Sequence, residues 1–324
     1  MSKFIPVSSC AYVHPDDVDT EKHVNAGPIN DAMDLAVARA VTALEKPTGA
    51  YTDFQRANIA AVLKSMQSSH GSIRKILSWG EDDPRSVDAL AVARVPLEGL
   101  YTICLFTEGP EWVDIYLQDG WRKKYEQFLL QQEETKKLPR FDDFSKNAGP
   151  QNLNALRKVL GITDAQVLTV EHEDLGTPMP AGVAKQGIPK FPTPGGVITT
   201  IPSGTDKRHM LERLYFEYGF LCSFAHGLPD ATLFKAMFDK NSKFRKFWDE
   251  QELKNTFQRQ VAERAYTTSL ISMIQSVAEL AALYAAEVDL VAAVGKAWQE
   301  ISEGSLLGRA IWNTRTKTLL GVVG

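Results

Sequence analysis

Fourteen uncharged residues run from Ala265 to Ala278, with the sequence AYTTSLISMIQSVA. Glu279 ends this run, and Glu287 and Asp289 interrupt the apolar residues beyond it. A helix needs about 20 consecutive apolar residues to cross a bilayer, so the run is too short for a transmembrane span. It predicts a buried core helix, and this chain is therefore expected to be soluble and to have no membrane partner.

Helical periodicity extends outward from this core segment over most of the chain. Apolar residues recur at helical spacing over 30–45 and 53–78, and a long apolar helix is predicted from Pro84 to about Phe106. Inside it, Pro96 predicts a kink or a break, since proline removes a backbone hydrogen bond at a cost of about 3 kcal/mol. Further helices are predicted over 111–137, 152–160, and from 206 to the C-terminus. No βαβ alternation or internal repeat accompanies them.

One segment, residues 161–205, has a different composition because glycines alternate with prolines along it. It predicts a long irregular excursion without regular helix, in which the only plausible strand is 196–201. Loops of this length are commonly functional, disordered or involved in assembly. The predicted fold class is all-α: a multi-helix bundle with one Gly/Pro-rich excursion. Residues 1–28 are predicted to be an extended lead-in, and 29–324 a single helical domain.

Composition excludes several classes of protein. The chain has 36 Lys and Arg against 40 Asp and Glu, a formal charge of -4, so no global field attracts nucleic acid or acidic lipid. The start has no signal-peptide run, which makes the cytoplasm the expected location. Cys104 and Cys222 are interpreted as small buried hydrophobes, because the three cysteines show no zinc or disulfide spacing.

No cofactor or metal is expected. Gly182 to Gly187 matches the first six positions of a P-loop, but Ile188 and Pro189 replace its Lys and Ser/Thr. Six acidic or histidine residues in the lead-in fit no known metal cage and are interpreted as a solvated acidic segment: His14, Asp16, Asp17, Asp19, Glu21 and His23.

The first candidate site is the pair Arg94 and Glu98, at i and i+4 on one face of the long apolar helix. Their neighbours are nearly all apolar, so we expect this face to be closed to water. A structural ion pair that fixes helix register is the favoured interpretation. The functional alternative is an arginine that binds phosphate or carboxylate, with Glu98 orienting it.

The second candidate site lies on the helix before Gly227 and contains Tyr218, Ser223 and His226. Ser223 and His226 are three residues apart and share a helix face. Gly227 suits a helix C-terminus, where the histidine can bond the last carbonyl groups. The functional alternative is that His226 faces the interior as a base or nucleotide contact, oriented by Ser223. A serine nucleophile is not supported, since no Gly-x-Ser-x-Gly motif is present.

These two helices resemble an uncharacterised all-helical bacterial family of unknown function. Some of its relatives have been compared with the HEPN (higher eukaryotes and prokaryotes nucleotide-binding) domains. The resemblance covers roughly residues 55–285 and rests on five positions: Arg94, Glu98, Tyr218, Ser223 and His226. It implies a nucleotide or RNA ligand held by Arg94 and His226, and a role in bacterial stress or phage defence.

HEPN ribonucleases resemble one another in an Arg-x(4 to 6)-His motif, from which this chain departs. The nearest arginine before His226 is Arg213, thirteen residues away. RNA cleavage by such chemistry would therefore require Arg94 to reach His226 from the other helix. Two further hypotheses remain: an interaction protein that oligomerises or binds a partner through the Gly/Pro loop, and a hydrolase with Glu98 or Glu217 as base.

Residues 234–264 mix aromatic with basic side chains, a combination that binds single-stranded nucleic acid. Several aromatics fall at helical spacing, and five acids dilute eight basic residues to +3. An ordinary amphipathic core helix is therefore the favoured interpretation. The aromatic residues are Phe234, Phe238, Phe244, Phe247, Trp248 and Phe257.

Overall fold

The computed structural model describes residues 27–47, 50–81, 83–137, 150–174, 176–284 and 288–321. Within these ranges the fold is all-α, without a β-sheet, as predicted. The helices are α1 (Gly27–Leu44), α2 (Asp53–Leu77), α3 (Asp88–Phe106), α4 (Glu111–Lys137), α5 (Pro150–Val159), α6 (Asp164–Asp174), α7 (Pro194–Thr200), α8 (Asp206–Ala225), α9 (Pro229–Phe238), α10 (Glu250–Thr256), α11 (Arg264–Leu283), α12 (Val288–Gly304), α13 (Leu306–Ile311) and α14 (Lys317–Leu319).

The described residues form two compact units. The larger unit comprises the described residues of Met1–Thr107 and Pro194–Gly324, and the smaller one those of Glu108–Thr193. The smaller unit has its own apolar core, in which Trp121 packs with Ile162, Val170 and Ile188. A separate core explains why this segment forms a unit of its own.

The core helix of the larger unit is α11, which contains the uncharged run and packs against α1, α2 and α3. Nearly every side chain from Ala265 to Ala281 is buried, which confirms the predicted core helix. Two of its buried serines bond backbone carbonyls of their own helix: Ser272 donates to Thr268 and Ser276 donates to Ser272. These bonds satisfy the hydroxyl groups inside an apolar core.

Helix α3 passes through Pro96 without a break, which excludes one of the two predicted outcomes, a division into two shorter helices. A 3-10 turn over Pro84–Val87 precedes it, and the side chain of Asp83 caps this turn by accepting from Arg85 N. Packing against α2, α8 and α11 compensates for the hydrogen bond that proline removes. Among the described residues, only Pro84–Phe106 is long and apolar enough to be a candidate membrane span, and 67% of its most apolar window is buried in the fold.

The segment 161–205 is less irregular than predicted. It contains α6 and α7, so the expectation that no helix forms there is wrong, and the strand expected over 196–201 is largely helical. Helix α6 lies between Gly161 and Gly176 in a stretch without glycine or proline, and Pro194 occupies the first position of α7, where proline is tolerated. The irregular part is 177–193.

Two further expectations concern the N-terminus and the cysteines. Residues 1–26 of the predicted lead-in, with its acidic and histidine residues, lie outside the described residues, and α1 already includes residues 27 and 28. Cys104 is buried as predicted, but Cys222 is only half-buried. The difference follows from position, since Cys222 lies on α8 close to its exposed C-terminal end.

Candidate functional site

The candidate residues lie on two helices of the larger unit, α3 and α8, which pack against each other. A buried hydrogen bond joins them, because Tyr101 Oη on α3 donates to the carbonyl of Leu211 on α8 at 2.7 Å. Thr205 caps the start of α8 by accepting from Arg208 N. The helix then runs to Ala225, which places its last turn beside the middle of α3.

Arg94 is the centre of the cluster. Its Nε donates to Glu98 Oε1 at 2.8 Å, and its Nη1 lies 3.0 Å from Nε2 of His226. Its Nη2 donates to Tyr218 Oη at 3.5 Å, and the guanidinium carbon lies 5.5 Å from the centre of the tyrosine ring. Tyr218 Oη in turn donates to Glu98 Oε1 at 3.1 Å. Four of the five candidate residues therefore form one connected network.

The Arg94–His226 contact determines the state of the imidazole. A guanidinium can only donate, so Nε2 of His226 must accept, and the proton of the neutral ring then lies on Nδ1. A doubly protonated imidazole has no acceptor and would lose this bond. The contact is therefore specific for neutral His226.

The cluster is open to solvent on one side. The side chains of Arg94 and Glu98 are 22% and 38% exposed, and His226 is exposed. The expectation that this face is closed to water is therefore wrong. Helix α8 ends at Ala225, one residue before His226. It therefore has no further turn that could cover the guanidinium.

Ser223 does not take part in the network. Its hydroxyl donates to the carbonyl of Phe220 at 2.7 Å, so the role of orienting His226, which the functional alternative gave it, is wrong. A serine three residues after a carbonyl on the same helix can reach it, and this local bond outcompetes the imidazole. The interior position of His226 in the same alternative is equally wrong, since the residue is exposed.

The structure at the C-terminus of α8 agrees in part with the prediction of a helix end at Gly227 that is capped by His226. Gly227 adopts a left-handed φ of 60°, and its N–H donates to the carbonyl of Phe224. Leu228 N–H donates to the carbonyl of Ser223, which completes a glycine-dependent helix cap. The backbone of His226 takes part by donating to Cys222, but its imidazole pairs with Arg94 instead of capping carbonyl groups.

The protonation states of the network follow from burial and charge. Burial raises the pKa of Tyr218 far above its usual range, with further increases from its hydrogen bond with Cys222 and the nearby charge of Glu98. Burial alone would lower the pKa of Arg94, but the hydrogen bond and charge of Glu98 outweigh it and raise the pKa. Tyr218 therefore stays a donor to Glu98, and Arg94 stays charged.

A second polar cluster, which the sequence analysis missed, lies in the core of the same unit. Nδ1 of the buried His70 is 2.9 Å from Ser269 Oγ, and its Nε2 is 3.2 Å from Asn30 Oδ1. Tyr266 Oη donates to the same Asn30 oxygen at 3.0 Å. Burial lowers the pKa of His70 to about 4, with a smaller contribution from the charge of Arg74. The sequence feature that could have predicted this cluster is a histidine at an apolar helical position, in register with Met66 and Ile73 of α2.

The basic and aromatic stretch divides into two parts. Phe238 and Phe257 are buried and form a chain of edge-to-face contacts with the half-buried Phe234, which continues to Phe224. Between α9 and α10, however, residues 239–249 contain only a short 3-10 turn, Arg245–Phe247, and their aromatic side chains are exposed. The predicted single amphipathic core helix is therefore wrong for this segment.

No metal cluster occurs in the described part of the chain, where no three or more His, Cys, Asp or Glu side chains are grouped suitably. Comparison with protein-family models, with curated proteins and with solved structures gives no match. The chemistry of the Arg94 cluster is therefore the basis on which a function can be proposed.

Proposed function

We propose that this chain is an HEPN-like helical protein that binds the phosphate group of a nucleotide or RNA at Arg94 and His226. The observation that supports the proposal is the 3.0 Å contact between the guanidinium of Arg94 and the imidazole of His226 at a partly exposed position. Arginine has the planar, always charged donor group that suits phosphate recognition. A bacterial origin and a role in stress or phage defence belong to the same proposal.

Glu98 and Tyr218 hold the guanidinium in a fixed orientation. Nε is bonded to Glu98, and the tyrosine ring lies against the guanidinium carbon. A preorganised side chain loses less conformational entropy on binding, which increases affinity. The carboxylate of Glu98 also reduces the net positive charge of the cluster. We therefore expect Arg94 to contribute to ligand binding mainly through the positions of its Nη1 and Nη2 donors.

His226 is the group that the ligand would replace at Arg94. Its imidazole is exposed and accepts from Nη1 of Arg94. A phosphate oxygen can replace the imidazole as the acceptor, and a protonated His226 can then donate to the same phosphate. The arginine and histidine come from two helices, so the cluster supplies the pair that HEPN ribonucleases carry within one helix. RNA cleavage would be a further step, to be tested with the Glu98→Gln variant.

The test compares Arg94→Ala and His226→Ala with the unaltered protein for thermal stability and for binding of labelled ATP and RNA oligonucleotides. A matched control is Arg208→Ala, because Arg208 pairs with Glu212 on α8 in the same i, i+4 geometry. The exposures of that pair, 25% and 43%, are close to those of Arg94 and Glu98. Folded variants that lose ligand binding, with the control unchanged, would support the site. Unchanged binding in both variants would refute it.

The alternative function, a non-enzymatic interaction protein, has its own observation in the irregular segment 177–193. Most of its residues are exposed, including Val183, although Ile188 anchors it to the core of the smaller unit. An exposed loop that is anchored to its own unit can present backbone groups to a partner or a second copy. Sedimentation analysis of a variant with residues 178–186 replaced by Gly and Ser would test it: an oligomer that dissociates supports this function, and an unchanged mass contradicts it.

A further inference from the structure

The segment between α9 and α10, Asp239–Asp249, combines exposed aromatic rings with positive charge. Phe244, Phe247 and Trp248 are 52%, 74% and 39% exposed, which is unusual for side chains of this size. The segment also contains Lys240, Lys243, Arg245 and Lys246 against two aspartates, a local charge of +2 in a chain of charge -4. We call Asp239–Asp249 the aromatic-basic segment.

A polar cavity of about 240 Å³ adjoins this segment. Three cations, Lys240, Arg245 and Lys254, and two carboxylates, Glu81 and Glu250, take part in its lining. The charged residues that line the cavity therefore have a net charge of +1. The cavity is smaller than the pockets that enclose a whole drug-sized ligand, so it suits a phosphate group whose base remains outside.

Two of the cations of the segment have defined contacts. Nη1 of Arg245 donates to the carbonyl of Phe238 at 3.1 Å, which fixes the guanidinium at the cavity wall. Nζ of Lys246 lies 5.2 Å from the centre of the Phe247 ring. Alternation of a flat apolar ring with a cation matches the alternation of base and phosphate along a single strand.

We infer that the aromatic-basic segment and its cavity bind single-stranded nucleic acid. Bases would stack on Phe247 and Trp248, and a neighbouring phosphate would enter the cavity near Lys240 and Arg245. Bases inside a duplex are already stacked on each other, so the surface would select single strands. This inference does not depend on the phosphate site at Arg94, because different residues form the two sites.

The experiment measures binding of a labelled single-stranded 12-nucleotide RNA by fluorescence polarisation over a series of salt concentrations. Phe247→Ala and Trp248→Ala should each weaken binding by about tenfold or more, since each removes a stacking surface. Lys243→Gln and Lys246→Gln should each reduce the salt-dependence slope by about 0.7, the value for one phosphate contact on a single strand. All four side chains are exposed, so the variants should fold normally.

The controls are Phe54→Ala and Lys75→Gln, an exposed aromatic and an exposed cation of α2, which should leave binding unchanged. A duplex of the same sequence should bind at least tenfold more weakly. Equal binding of duplex, or full binding by Phe247→Ala, would overturn the inference. So would loss of RNA binding in Arg94→Ala alone, which would assign the RNA to the first site. Absence of RNA binding together with self-association that Phe247→Ala abolishes would identify a protein interface instead and would also overturn it.

Discussion

Nη1 of Arg94 lies 3.0 Å from Nε2 of His226, although 132 positions separate the two residues in the chain. The contact joins the middle of α3 to the end of α8, and its donor can only be the arginine. It therefore requires a neutral imidazole. Four variants or conditions test the network around this contact and the core that supports it.

Tyr218→Phe removes the hydroxyl that accepts from Arg94 and donates to Glu98, while the ring remains beside the guanidinium. We expect a loss of about 1 kcal/mol in the free energy of unfolding, the usual net value of one hydrogen bond. Urea denaturation measures it. Tyr215→Phe on the exposed side of α8 is the control, with an expected change within about 0.5 kcal/mol. Equal effects of the two variants would contradict the hydroxyl's role.

His70 should make the fold less stable in acid. Its pKa is about 4 in the folded protein against 6.5 when unfolded, so the unfolded chain binds more protons between these values. Stability is therefore unaffected above pH 6.5 and falls as the pH drops from 6.5 toward 4, by on the order of 3 kcal/mol in total. Urea midpoints at pH 7, 6 and 5 for the unaltered protein and His70→Gln measure the contribution.

The control for this pH effect is His209→Gln, because His209 is exposed and pairs with Glu212 on the surface of α8. The His70→Gln variant should show a shallower fall in stability with acidification than the unaltered protein, and the His209→Gln variant should not. Parallel pH profiles for all three proteins would show that His70 does not titrate as a buried group.

Glu279→Ala should be strongly destabilising. Both carboxylate oxygens of the buried Glu279 accept from Arg315, at 2.9 and 2.8 Å, and Gln275 donates to one of them. Removing the carboxylate leaves the largely buried guanidinium without its anion, which costs about 3 kcal/mol or more. Thermal unfolding measures the loss. Glu133→Ala removes a surface partner of Lys136 and should cost less than about 1 kcal/mol.

Gly99→Ala tests how closely α2 and α3 approach. A methyl group at Gly99 would lie 2.5 Å from Cγ and Sδ of Met66, so the helices or the methionine must shift. We expect a loss of about 1 to 2 kcal/mol in unfolding free energy from overpacking. Gly71→Ala on α2 is the matched control, because nothing lies within 4 Å of the added methyl group. That variant should gain up to about 1 kcal/mol from higher helix propensity, and a similar gain for Gly99→Ala would refute the close contact.

Helical periodicity was sufficient to predict the all-α fold and the core position of α11. It left a break at Pro96 open, because the contacts that keep α3 continuous there come from helices distant in sequence. The same limit applies to α6 and α7, which form inside a segment whose average composition disfavours helix. Local propensity is overridden where long-range packing is extensive.

The candidate site was predicted in part. The i, i+4 spacing indicated the Arg94–Glu98 pair directly, but the position of His226 beside Arg94 depends on how α3 and α8 pack. Ser223 was misinterpreted because two residues on one helix face need not bond each other when a backbone carbonyl is nearer. The buried His70 cluster brings together residues 199 positions apart, a distance at which sequence spacing carries no information.

That separation also bears on how the chain is made. Helices α1, α2 and α3 leave the ribosome long before α11, the helix that covers their apolar faces. Until then His70 has no Ser269, although His226 is already available to Arg94 and the smaller unit can already form its own core. The larger unit can complete its fold only after α11 has been made, so its first three helices are exposed to chaperones and proteases until then.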